Sequence, residues 1–379
     1  MKVSAEAMAF HERCVVADMH AHPSLKTYLL GEKFHRPHRP GKHMGVFTMQ
    51  TSLPSLRKGS VDIQVATHYV PERGLADDCI VVEGLSKVIP RLRHALKEPL
   101  EATRAMMSHF EGAVARGSKD EKGRKPRLVR SLAELDAALK DGDIAVIHAV
   151  EGAHSLGGNA ATVDEFFERG VCMLTLAHFY ENECAPPVEG IPYDFFLRKI
   201  GCFKHKHDAT KSLPEFGREV VERMIDRGML IDLTHCTPAA REAVCEINGK
   251  RRPLVLSHIG LKELMPHELN VTGEEVKRIA DTGGVVGVIL MPYYLTVPRQ
   301  EKGFEPIVET LRRLIQHAGE DGVGFGSDYD GFTDPPDDVK EPAEYPRLTE
   351  ELLKAFGERQ TEKILGANFL RVLRSGWGR

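Results

Sequence analysis

A chain of 379 residues, 42% hydrophobic and 28% charged, is long enough for one large domain or two ordinary ones and has a globular balance. Its formal charge of −4 argues against a nucleic-acid polyanion as partner, and no apolar run reaches the length of a membrane span. The opening MKVSAEAMAFHERCVV is too charged for a signal-peptide core, and no tail resembles a lipid-anchor signal. Seven irregularly spaced cysteines read as free thiols of a reducing compartment, so the expected location is cytoplasmic.

In chain order, the first two predicted strands are CVVADMH (14–20) and VDIQVATHYV (61–70). Helical material at 80–112 and 131–140 separates them from a third, IAVIHAVEG (144–152). VCMLTLAH (171–178), MLIDLTH (229–235), PLVLSHIG (253–260), GVVGVIL (284–290) and GVGFGSD (322–328) follow, each apolar enough to be covered on both faces. Between them, PEFGREVVERMIDRG, TPAAREAVCEI, TGEEVKRIADTG and PIVETLRRLIQHAG repeat apolar residues at helical spacing, and several open with Thr or Pro and close at Gly. Eight strands alternating with helices predict an α/β fold, a (β/α)8 TIM-like barrel in one domain over 1–379. An open doubly wound sheet is the competing arrangement; its glycine-rich first loop is missing, and the first strand runs into histidines instead. Segments 27–60 and 183–212, rich in Gly, Pro, His and Lys, are expected as long loops over the mouth with room for short helical pieces.

Polar residues gather where these strands end: His20 and His22, Glu151, His178, His235, His258 and Asp328. In a barrel those ends converge on one mouth. His20 and His22, two apart, point to the same side of a strand. An HxH pair alone is a weak signal. Four histidines with Glu151 and Asp328 exceed the needs of one tetrahedral ion and suit two divalent ions, zinc by ligand type, with Mn, Co or Fe as alternatives. The natural split gives His20, His22 and Asp328 to one ion and His235 and His258 to the other, with Glu151 between. Such a pair acidifies a water and polarises the bond under attack, and Asp328 is placed to take the proton. Asp330 is a rival for that role, and Asp likes turns. His178 could donate to the developing oxyanion, or only orient a neighbouring carboxylate.

Other candidates read as structural. His205 and His207, near Cys184 and Cys202, belong to a charged, solvated loop. His148 faces away from Glu151, Asp18 orients His20, and Asp232 is a satisfied interior carboxylate. Ser257 lacks the glycines of a nucleophile elbow, and Cys236 points away from its neighbour His235.

The stretches HAVEGAHSLGG (148–158), VCMLTLAHFYEN (171–182), GREVVERMIDRGMLIDLTH (217–235), RPLVLSHIG (252–260), GGVVGVIL (283–290), DGVGFGSDYDG (321–331) and ILGANFLRVL (364–373) resemble the membrane dipeptidase (renal dipeptidase) family, M19, of the amidohydrolase superfamily. The resemblance covers nearly the whole chain. It implies a distorted (β/α)8 barrel with two zinc ions that hydrolyses dipeptides, a small-molecule substrate, and a homodimer. It also implies Glu151 as bridging ligand, His235 and His258 on the second metal, Asp328 as the aspartate after the last strand, and His178 beside the substrate. Two features depart from the family. His-x-His stands where the family has His-x-Asp. No arginine stands eleven residues after the SH histidine, at or near Glu268 and Leu269, where dipeptide-cleaving members hold the substrate carboxylate; Lys262 or the basic residues at 204–206 are the substitutes within reach. Two readings therefore accompany the dipeptidase: the same centre acting on N-acyl amino acids, lactones or phosphoesters, and a non-catalytic barrel that binds a ligand or partner.

Overall fold

The computed structural model of the chain describes residues 3–38, 48–296, 303–332 and 334–378. Among the described residues nine strands form, most of them on apolar runs: β1 (Ala17–Ala21), β2 (Ile63–Tyr69), β3 (Pro126–Val129), β4 (Ile144–Glu151), β5 (Val171–Thr175), β6 (Leu230–Asp232), β7 (Leu254–Ile259), β8 (Val285–Ile289) and β9 (Val323–Gly326). All pair in parallel, in the order β1-β2-β4-β5-β6-β7-β8-β9. The ends of that row meet at the mouth, where Asp328 N donates to His20 O at 2.9 Å and His22 N to Tyr329 O at 2.7 Å. The result is the expected (β/α)8 barrel.

Strand β3 lies outside the eight. It pairs with β4 from Ile144 to Ile147, and β5 takes over the same edge from His148 onward. Its sequence, PRLV, is short and half exposed at its centre, so it lacks the apolar run that marks the others.

The helices begin and end where local chemistry dictates. Thr237 Oγ1 accepts from Ala240 N at 3.1 Å, and Thr272 forms a capping box with Glu275. Gly228, at φ 76, closes the helix Glu215–Arg227 in the left-handed region. The helical stretch expected at 80–112 is three helices, Ile80–Val88, Pro90–Lys97 and Pro99–Ala115, each new one opening on a proline that cannot continue its predecessor.

Inside the barrel, Met19, Ile63, Val65, Ala145, Ile147, Met173, Leu230, Val255 and Val285 form a dry core, continuous with Phe369 and Trp377 near the C-terminus. Met19 fills the centre only because Gly287 makes room: a Cβ there would lie 2.5 Å from Met19 Cε and 2.1 Å from Ser257 O.

Segment 27–60 carries a short helical piece, Leu53–Lys58, started by Ser52, whose hydroxyl accepts from Ser55 N. Its residues 39–47 lie outside the described set. One expectation needs correction, since not all cysteines are free thiols: Cys79 and Cys202 form a disulfide across 123 residues of sequence. That bond ties the segment after β2 to loop 183–212, a proximity that spacing along the chain does not reveal, and the inference from free thiols to a reducing compartment falls with it. Cys14, Cys172, Cys184, Cys236 and Cys245 are free.

Candidate functional site

Every side chain singled out at a strand end joins one cluster at the mouth. His20 lies inside β1 and His22 one residue past it. Glu151 is the last residue of β4, and His258 lies inside β7. His178, His235 and Asp328 follow β5, β6 and β9 on short turns. Two of these turns use non-glycine residues in the left-handed region, His235 at φ 68 and Asp328 at φ 58. Such backbone is strained and persists where the surroundings enforce it, often at functional sites.

Glu151 is the hub. It is 1% exposed, and neither carboxylate oxygen has a hydrogen-bond partner. Five imidazole Nε2 atoms surround it: His20 and His22 at 3.4 Å, His178 and His235 at 3.5 Å, and His258 at 3.6 Å. Asp328 Oδ1 stands 3.2 Å from His22 Nε2 and 4.0 Å from His20 Nε2. Two sets of ligand atoms each fall within 4.8 Å of one another: His20, His22 and Asp328, and Glu151, His235 and His258. A third set, His20, Asp232 and His258, overlaps them.

The donors fit divalent cations. Converging imidazole nitrogens and a buried carboxylate without hydrogen bonds are costly unless something positive satisfies them. The charges respond to this crowding. Burial opposes a charge on His20, yet Glu151 and Asp328 raise its pKa to about 9. Burial likewise opposes ionised Glu151, but His178 and His20 hold it well below the usual carboxylate range. Burial and neighbouring His20 push His258 well below the ordinary imidazole range.

A ring of polar residues orients the ligands. Ser257 Oγ contacts His258 Nδ1 at 2.8 Å and His20 Nδ1 at 3.2 Å. It donates to Asp232 Oδ2 at 2.6 Å. Asp232 also accepts from Thr175 Oγ1, Thr234 Oγ1, Thr234 N and Ser257 N, so it is a satisfied interior carboxylate. Asp18 orients His20 through the backbone, accepting from His20 N as well as from Ser327 N, Ser327 Oγ and Tyr345 OH.

The rivals separate cleanly. Asp330 turns away from the cluster and accepts from Gln50 N at 2.7 Å and Thr51 N at 2.8 Å, with Lys26 Nζ at 3.2 Å. His205 is exposed on its loop, and neither it nor His207 joins a metal-binding group among the described residues. His148 points outward and meets His68 Nε2 at 2.7 Å. Sequence reasoning missed Glu72, in the VPER turn after β2. It is 6% exposed, and its Oε1 accepts from His178 Nδ1 at 3.1 Å and from Phe179 N at 3.0 Å. The signal available was position alone: an acid three residues beyond the end of β2.

A model of the membrane dipeptidase family (peptidase family M19) matches residues 4–376. The chain belongs to this family. Dipeptidase 3 of Rattus norvegicus is 28% identical over 326 residues, covering 86% of this chain and 58% of the rat protein. The Mus musculus Dipeptidase 3 is 28% identical over 332 residues, covering 86% and 57%. The chain thus spans less than two thirds of either relative. Uncharacterized dipeptidase C965.12 of Schizosaccharomyces pombe is 26% identical over 329 residues, covering 86% of this chain and 72% of that protein. Among solved structures, a metallopeptidase from Rhodobacter sphaeroides, liganded with a phosphinate mimic of the dipeptide L-Ala-D-Ala, superposes with a TM-score of 0.76 at 22% identity over 96% of this chain and 99% of that one. The probable dipeptidase PvdM from Pseudomonas aeruginosa gives 0.77 at 19% identity, over 98% of each chain. At these identities the likeness establishes a common barrel.

Proposed function

We propose that this M19 chain is a metal-dependent hydrolase that cleaves the amide bond of dipeptides, with two divalent cations, zinc by ligand chemistry, at the barrel mouth. His20, His22 and Asp328 would hold one, His235 and His258 the other, with Glu151 shared between them. The observation that carries this reading is one buried carboxylate ringed by five imidazole nitrogens at 3.4–3.6 Å.

When bound, the cations supply Lewis acidity, acidifying a water and polarising the scissile carbonyl. The remaining work belongs to side chains. Asp328, whose side chain is 14% exposed at the rim, accepts the proton of the attacking water and returns it to the leaving amine nitrogen. His178 turns Nε2 toward Glu151 and the other proposed ligands and would donate to the oxygen that gains charge during attack when that nitrogen carries a proton. Glu72, on Nδ1, is then the counter-charge across the ring.

A second reading keeps the centre and changes the substrate to an N-acyl amino acid, a lactone or a phosphoester. It is favoured by one observation. Where the family's carboxylate-holding arginine is expected, Glu268 is exposed and Leu269 is 1% exposed, so neither offers a cation. The test is hydrolysis of a dipeptide panel beside those three classes, with zinc or manganese restored. Dipeptide turnover is the expected outcome. Turnover confined to another class would replace the substrate assignment, and absence of bound metal from the restored protein would favour a non-catalytic barrel.

A further inference from the structure

Glu72 sits at the N-cap of the short helix Arg73–Asp77, yet its side chain does not cap that helix. It is turned instead toward the end of β5. There its Oε1 accepts from His178 Nδ1 at 3.1 Å and from Phe179 N at 3.0 Å, while its Oε2 accepts from Tyr69 OH. Anchoring the turn at 178–179 needs only the bonds to Phe179 and Tyr69. The remaining bond, to the imidazole, fixes which ring atoms point where.

His178 is held between aromatic faces, with ring centroids 4.1 Å from Tyr69, 3.7 Å from Phe179 and 4.6 Å from His235. Stacking of this kind constrains the plane of a ring but does not distinguish it from the same ring turned by half a revolution. That half-turn would place Cδ2 against Glu72 and Cε1 where Nε2 now stands 3.5 Å from Glu151 Oε2. It would delete both polar contacts at once. A carboxylate can only accept, so Nδ1 must carry a proton, and Nε2 becomes the atom offered to the cluster.

We propose that Glu72 is a positioning residue for the hydrolytic reaction: its carboxylate keeps a proton on Nδ1 and fixes the orientation of His178, so that Nε2 faces the reacting carbonyl and donates to it when that nitrogen is protonated as well. The inference rests on the dipeptidase reading for its kinetic consequence, although the tautomer itself can be read without substrate.

The experiment pairs two variants with a spectroscopic measurement on the metal-loaded protein. Glu72→Leu removes the acceptor while keeping a side chain of similar size. Glu72→Gln keeps an oxygen that can accept from Nδ1–H. Glu72→Leu is expected to lower kcat by about tenfold or more while leaving KM within about threefold, and Glu72→Gln to recover most of the loss, in the range found for partners that orient functional histidines. In wild-type protein labelled with 15N-histidine, the His178 resonances, assigned by comparison with His178→Asn, are expected to report Nδ1–H, and Glu72→Leu to change them. The inference is overturned if Glu72→Leu keeps kcat within about twofold, if the effect falls on KM alone, or if wild-type His178 carries its proton only on Nε2. If Glu72→Leu does not fold, the wild-type tautomer and Glu72→Gln still decide. Should no dipeptide be cleaved while His178 shows Nδ1–H, the substrate reading fails and the positioning role stands.

Discussion

Asp328 depends on a glycine three residues later. Gly331 N donates to Asp328 O at 3.2 Å, closing the turn on which the carboxylate stands. A Cβ at Gly331 would lie 2.4 Å from Asp328 Oδ1 and 2.9 Å from His22 Cδ2. Gly331 is not among the glycines with positive φ, so the obstacle to a side chain is contact and not backbone. Gly331→Ala should therefore displace the Asp328 carboxylate without unfolding the barrel. We expect kcat to fall by about tenfold or more, toward the loss of about 10²–10⁴ expected when Asp328→Asn removes the base. Bound metal, counted by elemental analysis, should stay near the wild-type number in both variants, and wild-type kcat in Gly331→Ala would refute the account. The ligand candidates were legible because each is a histidine or acid directly after an apolar run, and such runs end together in a barrel. Glu72 was not, since its partner His178 lies on a different strand and nothing in VPER distinguishes a buried acid from a solvated one. Asp328 and Asp330 could not be ranked from GSDYDG. The structure separates them because Asp330 is taken up by the backbone of Gln50 and Thr51.

Elements outside the barrel are fixed by single buried contacts that carry no periodic signal. The N-terminal helix Ala5–Arg13 is an example. Its His11 is fully buried, with Nε2 2.8 Å from Gly59 O and Nδ1 2.7 Å from Thr349 Oγ1. Gly59 O can only accept, so Nε2 holds the proton and Nδ1 accepts from Thr349: the neutral ring is fully satisfied. Burial lowers the His11 pKa from its usual 6.5. The unfolded chain therefore binds this proton more readily than the folded one. The stability contributed by neutral His11 is present above pH 6.5 and is lost as pH falls below it toward the depressed folded value. His11→Ala should cost about 1–3 kcal/mol at neutral pH by leaving Gly59 O without its partner. The gap between wild type and variant should then narrow as pH is lowered from about 7 to about 5, as urea titrations would measure. A gap that stays constant would mean that His11 does not titrate on unfolding in that range. The barrel strands were readable from composition because covered strands must be apolar. Strand β3, the helix Leu53–Lys58 and the Cys79–Cys202 pairing were not, because a four-residue strand, a capped single turn and a long-range bond each depend on what the rest of the chain brings alongside.

At the scale of the whole molecule, the mouth is where the barrel is held least by its own sheet. Strand β6 spans only Leu230–Asp232, and β1 meets the segment after β9 through an isolated bridge, Ala21 to Tyr329. The proposed ligands sit at these places: His235 beyond β6, His20 and His22 at the end of β1, Asp328 beyond β9. Cations bound there would join strands that the backbone joins weakly, in addition to neutralising Glu151. Binding only the folded state stabilises it by about 2.7 kcal/mol per site when free metal exceeds Kd a hundredfold. Exhaustive chelation should therefore lower Tm, and zinc or manganese returned after removal of the chelator should restore it. Acid should release the metal, because the imidazoles bind it only when deprotonated. Glu151→Gln should weaken metal retention and flatten the response of Tm to chelator, since it removes the negative charge of the proposed pair's shared ligand. Chelated and metal-restored wild-type protein melting at the same temperature, with metal content confirmed in the second, would show that the convergence of these side chains does not hold the mouth together.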